Sequence, residues 1–289
     1  MKPGAFEYCR PESLDEALGL LAEFGDDAVI LAGGLSLGAM LNMRLVRPAA
    51  VIDINRLGGD LQRVDVVDGG FHSGALVRQA DISLSPLAAL PLLAAALPHI
   101  GHYQTRSRGT LAGSVAHADP SAEIPLVLAT LGGAVELASA TAARTVLARD
   151  FAEAALTTVK AGDEMITALH WPEPVAGAGA AFTEISARRG DFALVAVGAM
   201  ARLTPNGAIK LDLGLGGVEE RPRVFSGAFD GAADKAADFA GDLLSQALND
   251  LEPIGDQRVS ADYRRHLARH LGCQTVIEAL AQVVPGRAE

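Results

Sequence analysis

The chain has 289 residues, 49% hydrophobic and 20% charged, with 24 Lys and Arg against 35 Asp and Glu for a net charge of −11. The apolar content excludes a disordered chain, and the length predicts about two domains; the acidic balance excludes a general electrostatic partnership with nucleic acid or an anionic membrane. Two cysteines at opposite ends, Cys9 and Cys273, with no C-x-x-C, exclude a zinc ribbon, a thioredoxin-like motif and an iron–sulfur ligand set carried within the chain.

The opening MKPGAFEYCRPES has no apolar signal region, and the most apolar stretch, residues 84–100, is broken by Pro86, Pro91 and Pro98. No membrane span is expected, and the reading is a soluble cytoplasmic protein. Ser13 and Glu16 form an S-x-x-E capping box, after which Leu14, Ala17, Leu18 and Leu21 recur at helical spacing until Gly25. Residues 28–31 read as a short buried strand ending in Gly33-Gly34, and Leu37, Met40, Leu41 and Leu45 resume helical spacing as far as Pro48.

Residues 51–54 predict a strand, and 64–75 a hairpin turning at Asp68-Gly69-Gly70. A helical region is expected over about 86–103, then a second glycine-containing loop over 106–125 and an apolar helix to about Leu131, closed by Gly132-Gly133. Paired strands follow across AVELAS and ARTVLARDF, with another strand over 164–172. PEPVAGAGA is the best linker, dividing a larger domain, 1–175, from a smaller one, 176–289. The second is expected to hold three strands (FTEIS, FALVAVGAMARL, AIKLDLGLGGV) and two helices, about 230–250 and about 260–284, with Pro285 closing the last. The fold class is α+β.

Two segments suit a diphosphate. In LAGGLSLG, Leu31 and Ala32 lead from a strand into Gly33 and Gly34, and Leu35, Ser36 and Leu37 open a helix. Glycine admits a close backbone approach, and a helix start offers unpaired N–H groups and a partial positive charge. GTLAGS carries Thr110, Ala112, Gly113 and Ser114, with two hydroxyls among small residues. Neither segment is a Rossmann fingerprint or a P-loop. Asp119 and Glu123 follow the second and could accept hydrogen bonds from ribose; the plainer reading makes Asp119 a turn initiator before Pro120 and puts Glu123 on a helix surface. Gly34–Gly38 also matches G-x-S-x-G, so a serine hydrolase using Ser36 is the alternative; only one plausible strand precedes it, and no H-G-G-G oxyanion segment is present.

His266 and His270 lie four apart on the last helix beside Arg264, Arg265 and Arg269, and read as a solvated face because no H-E-x-x-H or adjacent carboxylate ligand accompanies them. No metal site is expected. His117 sits beside the second glycine loop, and in ISARRGDFALV a turn presents Arg188, Arg189 and the ring of Phe192.

Taken in order, these motifs resemble the medium, FAD-binding subunit of molybdenum hydroxylases, the carbon monoxide dehydrogenase, xanthine dehydrogenase and aldehyde oxidase group. The resemblance rests on P-x-x-F-x-Y-x-R-P-x-S from Pro3, A-G-G-x-S-L at 32–37 with Arg44 beyond it, R-x-x-G-T-x-x-G-S at 106–114, A-D-P-x-x-E-x-P at 118–125, R-x-G-D-F-A at 188–193 and S-x-x-Y-R at 260–264. It implies a vanillyl-alcohol-oxidase-like (PCMH-type) FAD-binding domain of two subdomains, followed by a C-terminal domain of the carbon monoxide dehydrogenase flavoprotein type. It implies that Ala32 to Leu37 and Thr110 to Ser114 hold the FAD diphosphate, that Asp119 and Glu123 contact the ribose or adenine side, and that Met165, Ile166 and Phe192 lie near the flavin. Two positions depart from the family pattern: Ala112 replaces a glycine, and Glu184 stands where some members carry Lys, so that Arg188 or Arg189 would supply the cation. The implied role is electron transfer without a catalytic acid or base. Electrons would come from a small [2Fe-2S] subunit fed by a large molybdopterin subunit, in a dimer of heterotrimers. A flavin-free structural subunit, suggested by Ala112, is the remaining alternative.

Overall fold

A computed structural model describes residues 2–283 of the chain. Its first unit runs β1 (Glu7–Cys9), α1 (Leu14–Phe24), β2 (Ala28–Leu31), α2 (Leu35–Met43) and β3 (Ala50–Asp53). The three strands form a parallel sheet in the order β1-β3-β2. β3 is central and buried along its whole length, as a parallel strand covered on both faces requires. Ser13 caps α1 as expected, its hydroxyl accepting from the Glu16 amide, but the Glu16 carboxylate takes the amide of Glu12 and not that of Ser13. Ala17, Leu18 and Leu21 are the buried stripe of α1. Burial of a leucine stabilises by roughly 1.5–3 kcal/mol.

The second unit contains β4 (Val64–Val67), β5 (Gly70–Gly74), α3 (Pro91–Ala96), α4 (Tyr103–Arg106), α5 (Leu111–His117), α6 (Glu123–Leu131), β6 (Ala134–Ala138), β7 (Ala143–Leu147), α7 (Ala148–Phe151), β8 (Ala152–Ala154), β9 (Thr157–Thr158) and β10 (Met165–Pro172). An antiparallel sheet forms in the order β4-β5-β10-β6-β7, and β8 pairs with β9. Trp171 is buried on β10 and donates its indole N–H to Ser73 Oγ on β5 at 2.9 Å, which locks the middle of the sheet. The helix expected over 86–103 is broken into short turns, because Pro86 and Pro91 each start a new one.

The third unit is a meander of β11 (Gly179–Ser186), β12 (Ala193–Leu203), β13 (Ile209–Gly216) and β14 (Arg223–Phe229), followed by α8 (Ala236–Asn249) and α9 (Ala261–Ala281). The sheet has four strands and not the expected three. β14 was hidden because RVFSGAF is half-buried at the sheet edge and lacks a continuous apolar run. A second correction concerns Arg264, read as part of a solvated face. It is 4% exposed, and its guanidinium donates to the carbonyls of Leu194 and Gly217 and to Asp256. His266 and His270 do lie on the exposed side of α9. Pro285 lies outside the described residues.

Every residue of α6 is buried. The helix lies between the second unit and the meander, packing on α3, α5 and β10 on one side and on β12 and β13 on the other. A helix that is apolar apart from Glu123 and Thr130, with no polar face, fits such a place. It carries Glu123, its first residue, into the interior.

Candidate functional site

The two glycine loops, some eighty residues apart in sequence, touch. A Cβ built on Gly33 would lie 2.5 Å from the carbonyl oxygen of Arg108 and 2.9 Å from Cα of Gly109, so only glycine fits there. Gly34 stands at φ +74°, turning β2 sharply into α2 without a side-chain cap. The amides of Leu35, Ser36 and Leu37 are therefore left without a backbone partner in the first turn of α2, the ordinary condition of a helix start and a ready anion site.

The second loop is arranged differently. Thr110 is 2% exposed, and its hydroxyl caps α5 by accepting the Gly113 amide at 2.9 Å. The Leu111 amide donates to the Val77 carbonyl at 3.0 Å, and that of Ser114 to the Thr110 carbonyl at 3.2 Å. The Ala112 amide, between them in the first turn of α5, has no partner among the described residues.

A side-chain clamp joins the loops. Asn55, just past β3, donates from Nδ2 to the carbonyls of Leu31 (3.3 Å) and Ala32 (2.7 Å). Arg78 donates to Asn55 Oδ1 at 2.7 Å and also to the Arg108 carbonyl. Asp53 holds Asn55 by accepting its amide at 2.9 Å and is itself bonded by the Tyr8 hydroxyl. Burial pushes Asp53 up, but the Tyr8 and Asn55 hydrogen bonds outweigh it and keep its carboxyl below the ordinary range.

A cavity of about 290 Å³ opens where the first domain meets the meander, lined by Pro98, His99, Glu184, Ser186, Arg189 and Gly190. Gly190 closes against the 101–102 turn, and a Cβ on it would sit 2.8 Å from the His102 ring. His99 Nδ1 is 3.4 Å from the Glu184 carboxylate, whose other oxygen is buried without a partner. Burial raises the Glu184 pKa, opposed by His99. It also pushes Glu123 up to about 7, with Glu184 and Asp119 nearby adding to the effect.

Comparison with known proteins bears on what such a site holds. Residues 4–174 match the family model described as the FAD binding domain in molybdopterin dehydrogenase, and residues 180–279 match the carbon monoxide dehydrogenase flavoprotein C-terminal domain. This chain belongs to the FAD-binding medium-subunit family of molybdenum hydroxylases. It is 36% identical to the nicotine 6-hydroxylase medium subunit of Paenarthrobacter nicotinovorans over 98% of this chain and all of that one. It is 40% identical to the caffeine dehydrogenase subunit beta of a Pseudomonas species, over 67% of this chain and 66% of that one. The solved carbon monoxide dehydrogenase of Hydrogenophaga pseudoflava that lacks the Mo-pyranopterin moiety superposes with a TM-score of 0.89 at 29% identity, covering 98% of this chain and all of its counterpart. The chain is thus an oxidoreductase subunit whose family binds FAD.

In this medium subunit, Gly33 of the first loop meets Arg108 and Gly109, the residues that lead into Thr110 to Ser114. Ser36 is exposed at the start of α2, and among the described residues no hydrogen bond joins it to a histidine or carboxylate, so nothing supports a hydrolase. Ala112 is 3% exposed and packs in the main core. Asp119 makes the turn of the plainer reading, accepting the Ser121 amide at 2.9 Å, and Glu123 is buried and not on a helix surface. Met165 and Ile166 are core residues of β10, 1% and 5% exposed. Arg189 lines the cavity, while Phe192 is 56% exposed at the start of β12. Sequence reasoning missed Asn55, Arg78 and His99. Asn55 follows the end of a strand of the parallel sheet, where ligands gather in open α/β folds, and that position was a usable signal; Arg78 carried none.

Proposed function

We propose that this chain is the FAD-carrying electron-transfer subunit of a multi-subunit molybdenum hydroxylase, taking electrons from iron–sulfur clusters of a small partner subunit and passing them to an external acceptor. The large partner would hold molybdopterin and the substrate, and the assembly would be a dimer of heterotrimers. The observation that carries the reading is the contact of the two loops at Gly33, where a side chain would fill the cradle. Bound FAD supplies a group that exchanges electrons one or two at a time, which no side chain here can do.

The residues present fit that cofactor. Leu35, Ser36, Leu37 and Ala112 offer backbone N–H groups, and Ser36 and Ser114 offer hydroxyls, to a diphosphate. Asn55 and Arg78 turn the carbonyls of Leu31, Ala32 and Arg108 away from that anion by hydrogen-bonding them. The family resemblance assigns Asp119 and Glu123 to the ribose or adenine side. His99, Glu184 and Arg189, which line one cavity, and the exposed Phe192 are assigned to the flavin end, where His99 lies beside the Glu184 carboxylate. Relatives named for caffeine and for nicotine are 40% and 36% identical to this chain, which fits a substrate chosen outside it.

The test is co-purification. Isolated with its two partner chains, the complex is expected to show a flavin absorption band and to release FAD on heating. A flavin-free complex that still reduces an external acceptor at full rate overturns the reading in favour of a structural subunit.

A further inference from the structure

We propose that His72, Glu136 and His170 form a site for a divalent transition metal on the five-stranded sheet. The three residues lie on three adjacent strands. His72 on β5 and His170 on β10 are direct cross-strand partners, with ring centroids 4.7 Å apart. Glu136 on β6 stands two residues from Ala134, the partner of His170, and so shares its face.

The geometry is convergent. Nε2 of His170 lies 3.2 Å, and Nε2 of His72 3.6 Å, from the same oxygen, Oε2 of Glu136. The three ligand atoms all fall within 4.8 Å of one another. A tetrahedral metal with bonds of about 2.0–2.2 Å to imidazole and carboxylate sets neighbouring ligand atoms about 3.3–3.5 Å apart, close to both nitrogen-to-oxygen distances here.

The outer contacts fit as well. The other carboxylate oxygen, Oε1, accepts the Thr167 hydroxyl at 2.6 Å, which fixes the direction in which Oε2 points. His72, Glu136 and Thr167 line a cavity of about 440 Å³, beside Glu12, Ser13 and Asp60, which leaves room for a water in the fourth position. Two imidazoles and one carboxylate suit Zn2+ or Fe2+ better than Mg2+ or Ca2+, which prefer all-oxygen shells. No residue of the two glycine loops takes part, so the proposal does not rest on the flavin reading.

The experiment uses the untagged full-length chain, stripped with a chelator and dialysed, then titrated calorimetrically with ZnCl2 and, separately, with CoCl2 followed by visible absorption. One Zn2+ per chain is expected, with a tetrahedral Co2+ band and a rise in melting temperature on adding Zn2+. Glu136→Gln and His170→Ala are each expected to weaken binding at least about tenfold. His72→Asn provides the same test should His170→Ala fail to fold. The double variant His266→Ala/His270→Ala removes the exposed histidine pair of α9 and should bind as the parent does. Absence of saturable binding overturns the proposal and leaves a hydrogen-bonded Glu–His cluster. Parent-like binding by Glu136→Gln and His170→Ala, or loss of binding in the α9 variant alone, overturns it too.

Discussion

The two loops that meet at Gly33 use their amides in different ways. The first leaves those of Leu35, Ser36 and Leu37 free in the opening turn of α2, whereas the second commits those of Leu111, Gly113 and Ser114 to Val77 and Thr110. The contrast teaches that a pair of similar glycine motifs need not do the same work. Under the proposed reading the first loop would supply most of the free amides for an anion, and the second, its amides largely committed, would add fewer donors and a more rigid wall.

The largest test of this contrast is Gly33→Val. Its side chain would collide with the backbone of the second loop, so the loops must part. Loss of nearly all bound FAD is expected, read as the flavin-to-protein absorbance ratio, with the circular dichroism spectrum kept. Full flavin content would show that the contact is not the binding site.

Next in size is Glu123, which the second loop leads into the interior. Its carboxyl holds its proton up to about pH 7 in the folded chain, against an ordinary value of 4.5. A raised acid destabilises the fold once the unfolded chain can ionise. The penalty therefore grows from pH 4.5 to about 7 and is constant above, reaching about 3 kcal/mol. Glu123→Gln should make the flavin-free chain more stable than the parent at pH 8 by a few kcal/mol, with the advantage fading by pH 5. Urea melts at the two pH values check this, and parallel melts would contradict the buried placement.

Arg78→Ala removes the bond between the loops without touching either glycine. Hydrogen bonds from a charged donor are worth about 1.5–3 kcal/mol, which predicts FAD affinity weakened roughly ten- to a hundredfold, measured by equilibrium dialysis. The smallest effects separate the loops most directly. Thr110→Ala removes a helix cap and should cost about 1 kcal/mol of stability. Ser36→Ala, at an exposed position, should leave the melting curve in place and weaken only flavin retention. Equal behaviour of the two would erase the distinction.

Much of this was legible in the chain itself. The strand into Gly33-Gly34, the capping serine of α1 and the glycine stop of α6 follow from local rules of glycine, capping and periodicity, whereas the start of α6 lies at Glu123, inside the expected loop. Other features were not legible because they are made across the fold. β1 is three residues long with only Cys9 buried, and β14 sits half-exposed at an edge. Arg264 stands in sequence among residues that face water, and only the approach of Leu194 and Gly217 encloses it. Asn55 and Arg78 act on residues more than twenty positions away, a distance that no periodic pattern spans. His72 and His170 become neighbours only through the pairing of β5 with β10.

The main core does not stop at the linker. Ala180 on β11 and Met200 on β12 belong to it, and Leu92 of α3 lies against Gly198. The meander is thus a wall of the first domain as well as a domain of its own. Splicing the C-terminal portion of another family member onto residues 1–175 would present mismatched apolar faces at this seam. Chimeras should therefore fail unless α3 and α6 are exchanged along with it, and the two halves are expected to change together over evolutionary time.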